Sequence, residues 1–600
     1  MPPILPPLTE VLAATVAAVE AEGERLLEEF HRANGPRGSG SKAPIDDEIE
    51  ARLRVALQRA FPCTFLGEES GETRGTIQGW TWLVDPHDAT RDFLKGYRGS
   101  SISVGLLRGA EPVLGVVHAP ASPDRGRETI AWAEGAGRIR RNGAPVQPGL
   151  RRGMLERGEL VWATTSAARR PITFSRASAP ARYVALASIA HRMARVAAGD
   201  GVAAITIHEV HEYDIAAGAA LVNAAGGVVL DASGREVVFT GKPGAVVNAC
   251  FAGAPEAAAA LARFDWSAAR GEERRALRVA LGFPKVADAQ RLARAQGCLL
   301  GQAIGDSLGA RVEFQSAAEI ARAHPQGVRE LADGGTWNTI AGQPTDDTEM
   351  ALALARSILA SGGYEARGAL AAYRAWLASG PFDVGTSVSE GLEGAANTES
   401  EGHGSLMRVA PIGIWAAGDP QRAADSARAD SALTHASPVC LDACAAHAAA
   451  IAAGIAGASR EAMLQAALAH AAKTHAASPA RNAIERAAKG EAVREFETNQ
   501  GWVRIALQNA FFQLMHASDF ESALVATASA GGDTDSNAAI AGALLGAAHG
   551  IEAIPPRWIL PVLACRPLAE PGVRRPRPMH YWPDDVLELA EALLQSRPRQ

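Results

Sequence analysis

The stretch Trp82-Leu83-Val84-Asp85-Pro86-His87-Asp88-Ala89-Thr90 decides how the first half of this 600-residue chain is interpreted. Its apolar residues predict a strand that ends at Asp85; the proline then breaks the chain, and Asp88 follows one turn later. Glu68 follows another short strand, over residues 64–66. Carboxylates that no Lys or Arg neutralises need cations, and oxygen-only clusters hold hard ions such as Mg²⁺. With free amides at the next helix start to receive a phosphate, the pattern indicates metal-assisted hydrolysis of a phosphate ester.

Helices and short strands alternate around this stretch. Apolar residues recur at helical spacing over residues 8–30, and short apolar runs predict strands over 102–107, 112–118 and 228–230. Asp214 opens a later helix, which ends at two glycines, the residue type that terminates helices. Alternation of this kind indicates a mixed domain, α/β or α+β, of layered sheets and helices.

The second half has a different pattern. Its apolar stretches are long, rich in Ala and spaced as in helices, for example over residues 441–455 and 538–548, and strand signals are almost absent. We therefore predict an all-α domain there. Because 600 residues are too many for one hydrophobic core, we expect two domains, over residues 1–265 and 289–600, joined by a charged linker over 266–288.

A second set of carboxylates lies in that half. Asp346 and Asp347 stand at a helix start, and far along the chain Asp533 and Asp535 follow two glycines. Adjacent acids at a helix start could simply complement the helix dipole. Acids that alternate around a hydroxyl, as Asp533 and Asp535 do around Thr534, are a poor structural choice unless a cation organises them. The two motifs together predict a second metal site.

Composition argues against some classes of protein. The net charge is −7 and the isoelectric point is near 6.1, which argues against a general nucleic-acid binder. The six cysteines are scattered and demand no disulfide framework. The Pro-rich N-terminus lacks the basic region of a signal peptide, and no apolar run is long enough to span a bilayer. We therefore expect a cytoplasmic protein with no membrane partner.

The first half resembles the inositol monophosphatase superfamily over about residues 5–260. The motifs that carry the resemblance are Gly67-Glu68-Glu69, residues 85–90, and Tyr213-Asp214 with the glycine turn beyond it. The resemblance implies a layered phosphatase domain that uses Mg²⁺, with Thr90 and Glu68 orienting the attacking water. The implied metal ligands are Glu68, Asp85, Asp88, Asp214 and the carbonyl of His87, with Asp46 near a further ion.

Three residues depart from the usual pattern of that superfamily, and one of them is Tyr213, which stands where Trp is common. Ala89 replaces a Gly at the phosphate-binding amides of residues 89 and 90. If its φ is positive, the Ala costs about 1 kcal/mol and displaces those amides. His87 replaces an apolar residue, although only its carbonyl is expected to be used. These departures leave open a retained fold that is inactive or that serves as a scaffold.

The second half resembles the ADP-ribosylglycohydrolase family, of the dinitrogenase-reductase-activating type, over about residues 289–594. The motifs are residues 297–306 with Glu313, residues 345–347, residues 533–536 and the loop 402–408. The resemblance implies two Mg²⁺ or Mn²⁺ ions, with Asp383 or Glu313 handling the proton when the ribosyl bond is cut. The implied ion ligands are Thr345, Asp346, Asp347, Asp533, Asp535 and Ser536. The implied nucleotide contacts are Gly402, His403, Gly404, Ser405, Met407 and His435. His403 stands where that loop usually has Asn.

The chain is therefore predicted to be a bifunctional metal-dependent hydrolase with a small-molecule or ADP-ribosylated substrate. One activity hydrolyses a phosphate monoester, which is nucleotide-like or an inositol or sugar phosphate. The other cuts an ADP-ribosyl N- or O-glycosidic bond and releases ADP-ribose. A rival interpretation is a glycohydrolase with an inactive phosphatase-like scaffold or binding domain. A third is an inositol or sugar phosphatase that is merely tethered to the hydrolase.

Overall fold

The structure, a computed structural model, describes residues 5–147, 149–272, 279, 281–394, 396–472 and 478–596. Its contacts divide the chain into two compact units, and the division falls between residues 277 and 286. The first unit contains two sheets and several helices, and the second is almost entirely helical. The predicted order of fold classes, a layered α/β domain followed by an all-α domain, is confirmed.

The first unit begins with two long helices and then forms most of its strands. Its helices are α1 (Leu8–Phe30), α2 (Pro44–Ala60), α3 (Thr90–Phe93), α4 (Pro171–Ser178), α5 (Ile189–Ala197), α6 (Glu212–Ala224), α7 (Pro255–Arg263) and α8 (Ser267–Gly271). Its strands are β1 (Cys63–Gly67), β2 (Gly71–Thr73), β3 (Ile77–Asp88), β4 (Ser101–Arg108), β5 (Glu111–Ser122), β6 (Gly126–Ala133), β7 (Arg140–Arg141), β8 (Ala144–Pro145), β9 (Leu160–Ala163), β10 (Arg182–Ala185), β11 (Ala203–His211), β12 (Val228–Leu230) and β13 (Val246–Gly253).

Two sheets form the framework of this unit. The larger has the order β2-β1-β3-β4-β5-β6-β7-β8, and the smaller has the order β10-β9-β11-β13-β12. Helices α5 and α6 contact strands of both sheets, so they form the layer between them. Gly105 on β4 lets α6 approach closely, because a Cβ there would lie 2.9 Å from the Cβ of Ala216. This packing holds the first turn of α6, which carries Asp214, beside the larger sheet.

Strand β3 is longer than the sequence predicts. It runs through Pro86 to Asp88, so the expectation that the strand ends at Asp85 and that the proline breaks the chain is wrong. Asp85 pairs with Ser103 and Asp88 pairs with Ser101, and the register shifts between the two pairs. A bulge leaves a residue without a ladder hydrogen bond, which is where a proline that lacks an N–H is tolerated. Both carboxylates therefore lie on one strand.

The second unit is built from helices throughout its described part, where pairing is limited to isolated bridges such as that between Gly334 and Thr339. The helices are α9 (Ala289–Gly309), α10 (Ala317–Ala323), α11 (Asp346–Ser361), α12 (Ala366–Ala378), α13 (Thr386–Glu393), α14 (Ala410–Trp415), α15 (Pro420–Ser431), α16 (Pro438–Ile455), α17 (Arg460–His470), α18 (Pro479–Ala488), α19 (Val503–His516), α20 (Phe520–Ala528), α21 (Thr534–His549), α22 (Pro556–Leu563) and α23 (Val586–Gln595).

Helices α9 and α21 pack through their backbones. Glycines recur every four residues along α9, at Gly297, Gly301, Gly305 and Gly309. This spacing places one glycine on the same face at nearly every turn. A Cβ on Gly301 would collide with the carbonyl oxygen of Gly542, and a Cβ on Gly309 would collide with that of Thr534. We call this contact the glycine seam. It brings Asp306 on α9 next to the start of α21.

Helix α16 is long and apolar enough, by length and composition, to cross a membrane, so the expectation that no apolar run is long enough is wrong. However, 83% of it is buried inside the unit, as in the core helix of a globular domain. Its Cys440 and Cys444 are buried and unpaired. We therefore interpret α16 as a core helix, and the two cysteines as small buried side chains.

Two candidate active sites

Four predicted site acids of the first unit act on one another. Glu68 follows β1, Asp85 and Asp88 lie on β3, and Asp214 lies in the first turn of α6. Desolvation and repulsion from nearby acids raise the pKa of Glu68 to about 7. Burial, with repulsion from Glu68 and Asp88, raises the pKa of Asp85 well above its ordinary value, and burial with repulsion from Asp88 does the same for Asp214. A cation is the partner that relieves such repulsion.

These acids form an open rather than a tight group. Among the residues that the structure describes, three acids whose ligand oxygens all lie within 4.8 Å of one another occur in the second unit and not in the first. Oδ1 of Asp85 accepts from the N–H of His87 at 2.8 Å, and Oδ2 of Asp214 accepts from the N–H of His211, also at 2.8 Å. The first unit therefore offers fewer free oxygens than its four acids suggest.

Asp46 is held by the chain's own donors. Its Oδ1 lies 2.7 Å from Nδ1 of His87, and its Oδ2 accepts from the hydroxyl of Thr90 at 3.2 Å and from the N–H of Ala43 at 3.3 Å. The Thr90 hydroxyl also lies 2.8 Å from the carbonyl oxygen of His87. Asp46 therefore does not fit a further ion well. No sequence signal predicts this contact of the His87 ring.

Asp88 is anchored to the start of α5. Its Oδ2 accepts from the Ser188 hydroxyl at 2.6 Å and from the N–H of Ala190 at 2.9 Å. Ser188 also caps α5, because its hydroxyl oxygen accepts from the N–H of His191 at 2.9 Å. Ser188 lies 100 residues from Asp88 in the sequence, so no short motif predicts the contact.

Ala89 has a left-handed backbone conformation, with a φ of +80°. The positive φ that the sequence analysis considered is therefore present, and Ala89 carries a strain of about 1 kcal/mol relative to Gly. Thr90 follows at the start of α3 and is buried. The strain falls on the backbone that the resemblance assigns to phosphate binding.

The second unit brings acids from several segments together. Asp306 lies on α9, Asp346 and Asp347 begin α11, Asp533 is the N-cap of α21, and Asp535 lies in its first turn. Ligand oxygens of Asp306, Asp347 and Asp535 all lie within 4.8 Å of one another, and so do those of Glu313, Asp533 and Asp535. Two groups that share Asp535 are suited to two neighbouring cations.

Hydrogen bonds within the chain hold this cluster in place. Oδ1 of Asp306 accepts from the N–H and the hydroxyl of Thr345, at 2.9 and 3.0 Å, and its Oδ2 accepts from the N–H of Thr348 at 3.0 Å. Asp306 thus satisfies amides at the start of α11. Oδ1 of Asp347 and Oδ1 of Asp533 are buried without a hydrogen-bond partner among the described residues. Helix-dipole complementation alone does not explain such orphaned oxygens, whereas a bound cation does.

The carboxyls of the cluster are mostly shifted toward the protonated form. Burial raises the pKa of Asp306 to about 7. Burial and mutual repulsion raise the pKa values of Asp346, Asp347 and Asp535 well above their ordinary range. Burial is also the strongest single influence on Asp533, but attraction and hydrogen bonding by His403, together with hydrogen bonds from Asp535 and Ser536, lower its pKa overall. Ser536 contributes its N–H, which donates to Oδ1 of Asp535 at 3.0 Å.

Glu313 and Asp383 flank these acids. Burial, with repulsion from Asp383 and Asp533, raises the pKa of Glu313 to about 8. Burial, with repulsion from Asp533, raises the pKa of Asp383 to about 6. The indole N–H of Trp337 donates to Oε2 of Glu313 at 2.6 Å, a contact that the sequence does not predict. Groups that titrate near neutral pH are suited to exchanging a proton with a substrate.

The loop 402–408 lies beside Asp533. Nε2 of His403 is 3.1 Å from Oδ2 of Asp533, so this ring contacts the acid cluster directly. His435 packs against the loop, since a Cβ on Gly404 would lie 3.0 Å from its Cε1. Burial lowers the pKa of His435 to about 3, which keeps the ring neutral.

Ser405 and Met407, two of the residues predicted to contact the nucleotide, form hydrogen bonds that stabilise this loop. The buried Ser405 hydroxyl lies 2.8 Å from that of Ser431. The carbonyl oxygen of Met407, also buried, accepts from Nε2 of Gln302 at 2.8 Å. These contacts fix the backbone of the loop.

Comparisons with known proteins agree with this division. The profile described as ADP-ribosylglycohydrolase matches residues 287–600, and that described as inositol monophosphatase family matches residues 7–266. An ADP-ribosyl-[dinitrogen reductase] glycohydrolase of Rhodospirillum rubrum is 32% identical over 280 residues, which cover 44% of this chain and 89% of that protein. An ADP-ribosylarginine hydrolase of Pseudomonas putida is 29% identical, with 45% and 74% covered. Inositol monophosphatase 1 of Solanum lycopersicum is 28% identical, with 40% and 91% covered.

Proposed function

Since the chain belongs to the ADP-ribosylglycohydrolase family and carries an inositol monophosphatase domain ahead of it, we propose that it is a bifunctional metal-dependent hydrolase. The second unit cuts an ADP-ribosyl glycosidic bond and releases ADP-ribose, and the first hydrolyses a phosphate monoester. The observation that carries the proposal is the convergence of Asp306, Asp347 and Asp535, which are buried with ligand oxygens within 4.8 Å of one another.

Mg²⁺ or Mn²⁺ suits the acids of the second unit. We assign the ions to Thr345, Asp346, Asp347, Asp533, Asp535 and Ser536. The orphaned Oδ1 atoms of Asp347 and Asp533 support this assignment. Bound ions would supply Lewis acidity toward the ribose and would lower the pKa of a bound water. Asp306 keeps Thr345 in place through its two hydrogen bonds.

Glu313 and Asp383 handle the proton in this proposal. With pKa values of about 8 and about 6, each can hold or release a proton near neutral pH. One of the two protonates the departing acceptor atom. Trp337 positions Glu313, because its indole N–H fixes Oε2.

The acceptor is an arginine side chain or a similar group. Support comes from the relatives whose names specify ADP-ribosylarginine and ADP-ribosylated dinitrogen reductase, which align over 74% and 89% of their lengths. We assign the substrate's diphosphate to the loop 402–408, with His435 beside the nucleotide. A cytoplasmic location, without a membrane or general nucleic-acid partner, belongs to the same proposal and suits a chain whose six cysteines form no disulfide.

The first unit hydrolyses a nucleotide-like phosphate in preference to an inositol or sugar phosphate. We assign its Mg²⁺ to Glu68, Asp85, Asp88, Asp214 and the carbonyl of His87. Glu68 and Thr90 orient the water. The Thr90 hydroxyl directs its proton toward His87 or Asp46, which leaves its oxygen free to accept from that water.

A second candidate function rests on Ala89. Its φ of +80° strains the backbone where phosphate would bind, which favours a first unit that retains the fold but acts only as a scaffold or binding domain. The second unit is then the sole enzyme of the chain.

One assay on the full chain tests these proposals. ADP-ribose release from ADP-ribosyl-arginine and phosphate release from a panel of nucleotides and inositol monophosphate are measured after chelation and after Mg²⁺ or Mn²⁺ is restored. We expect both activities to return with the ion. Asp535→Asn abolishes only the first activity, and Asp85→Asn only the second. No phosphate release from any substrate supports the scaffold, and no ADP-ribose release refutes the glycohydrolase.

A further inference from the structure

We call the four site acids of the first unit, Glu68, Asp85, Asp88 and Asp214, its acid cluster. A buried cation, Arg192, is acted on by one of them, Asp88. Arg192 lies on α5 with 2% of its surface exposed, and its Nε donates to the carbonyl oxygen of Ser188 at 3.2 Å. Its Nη1 is buried without a hydrogen-bond partner among the described residues. Desolvation lowers its pKa to about 10, so the guanidinium stays charged at neutral pH. A charge this deeply buried persists only where opposite charge compensates it.

Asp88 is the acid that acts most strongly on this guanidinium, and Asp92 contributes as well. Ser188 connects the two, because its hydroxyl donates to Asp88 at 2.6 Å while its carbonyl accepts from Arg192. Asp88 differs in this respect from Asp85, whose charged neighbours Glu68, Asp88 and Asp214 are all acids. The chain itself therefore supplies positive charge on one side of the cluster.

This arrangement affects how many divalent ions the cluster can hold. A fixed positive charge beside Asp88 repels a cation that approaches the same carboxylate, and burial weakens the solvent screening of that repulsion. Oδ2 of Asp88 is already occupied by Ser188 and Ala190. Asp46 is occupied as well, by His87, Thr90 and Ala43. Among the charged groups that act most strongly on the remaining acids, Glu68, Asp85 and Asp214, none is an Arg or a Lys.

We propose that Arg192 is a fixed cation that takes the place of a second divalent ion beside Asp88, so that the first unit binds a single ion. This inference rests on the phosphatase site proposed above and specifies its ion content. Arg192 acts through the cluster and is a positioning residue. Its guanidinium maintains positive charge there whether or not Mg²⁺ is bound.

The number of ions bound to the first unit tests the role of Arg192 without an activity assay. Mn²⁺ bound to the full chain is counted by equilibrium dialysis, and the count for the Asp85→Asn/Asp214→Asn double variant is subtracted from that of the natural sequence. We expect a difference of one ion per chain. A difference of two would overturn the role of Arg192 and keep the phosphatase site. A difference of zero would overturn the phosphatase site itself, and the inference with it.

Substitution of Arg192 gives the matched comparison. Arg192→Gln removes the charge, and we expect this variant to bind one more Mn²⁺ per chain. The additional ion should bind roughly tenfold or more tightly than any second ion binds to the natural sequence. Arg192→Lys keeps the charge, and its count should equal the natural one. An unchanged count in a folded Arg192→Gln chain, verified by circular dichroism, would refute the proposal. If that variant does not fold, the subtraction experiment above still decides.

Discussion

Asp306 accepts two hydrogen bonds from Thr345, one from the backbone N–H at 2.9 Å and one from the hydroxyl at 3.0 Å. The first residue lies on α9 and the second is the N-cap of α11. This buried contact joins two helices that each bring an acid to the cluster. It makes Asp306 both a structural residue and a neighbour of the assigned ion ligands.

Removal of Asp306 should therefore destabilise the chain. Asp306→Ala leaves the amides of Thr345 and Thr348 buried without acceptors, and we expect the free energy of unfolding to fall by roughly 3 kcal/mol. Asp306→Asn should lose less, because its amide oxygen can still accept from Thr345. Urea denaturation followed by circular dichroism measures both. Equal stability of the two variants would contradict the role of these hydrogen bonds.

Loss of an assigned ion ligand should abolish glycohydrolase activity. Asp346→Asn or Asp533→Asn keeps the shape of the side chain but removes a charged ligand from a hard cation, and we expect kcat for ADP-ribose release to fall roughly 100-fold or more with little change in fold. Glu393→Gln, on the exposed end of α13, is the matched control and should be neutral. Full activity in either aspartate variant would remove the two-ion assignment.

Relief of the strain at Ala89 should increase phosphatase activity. Ala89→Gly permits a φ of +80° without steric cost, so the phosphate-facing amides relax and the fold gains about 1 kcal/mol. Phosphate release and thermal stability are measured together. Ala110→Gly, at an exposed position whose φ is not positive, should give neither gain. Unchanged or lower activity in Ala89→Gly would show that Ala is compatible with the site.

The ion-free chain should lose stability as pH rises. The pKa of Glu313 is about 8 in the folded chain against an ordinary value of 4.5. Between these values the folded chain holds a proton that the unfolded chain has released, so the free energy of unfolding falls from about pH 4.5 to about pH 8. Asp383, with a pKa of about 6, acts in the same direction.

Thermal unfolding of the chelated protein at a series of pH values measures this effect. Glu313→Gln should flatten the upper part of the profile. Mn²⁺ should raise the unfolding temperature more at pH 8 than at pH 6, because binding displaces protons. A profile that rises with pH in the chelated chain would contradict the raised pKa values.

The first unit should prefer a 2′- or 3′-phosphate on an adenosine ribose over inositol monophosphate. The motivating observation is its place on one chain with a glycohydrolase, since a phosphorylated ADP-ribosyl group would need both activities. A short tether raises the effective concentration of the second site into roughly the millimolar range. Steady-state kinetics on the full chain, with Asp535→Asn to silence the second site, measure the preference. A clear preference for inositol monophosphate would leave two unrelated activities.

Short motifs were sufficient to predict that several acids of the first unit lie close together. Glu68, Asp85 and Asp88 stand within a few positions of strands, and their carboxylates do act on one another. Contacts between distant segments could not be predicted in the same way. Ser188 reaches Asp88 over 100 residues, because the order of the strands decides which helix start meets β3.

The extension of β3 and the contact between Trp337 and Glu313, neither of which the sequence predicts, have a similar origin. The strand β3 continues through Pro86 because β4 supplies a partner with a shifted register, and a single sequence contains no sign of that partner. Trp337 donates to Glu313 from a loop with no motif of its own. Periodicity and local chemistry are enough to predict helices, strands and candidate acids. Which neutral hydrogen-bond donors surround those acids depends on tertiary packing.

The glycine seam between α9 and α21 should limit which ion the proposed second site accepts. The carbonyl oxygens of one helix touch the glycines of the other, so the distance between the two axes is set by atoms that have no rotamers. Asp306, which holds Thr345, and Asp535 are attached to these two axes, so the site cannot widen around a larger ion. Ca²⁺ requires longer metal–oxygen distances and more ligands than Mg²⁺ or Mn²⁺, which suit a small fixed cage. Discrimination by ionic radius would thus originate in the absence of side chains along the contact between the two helices.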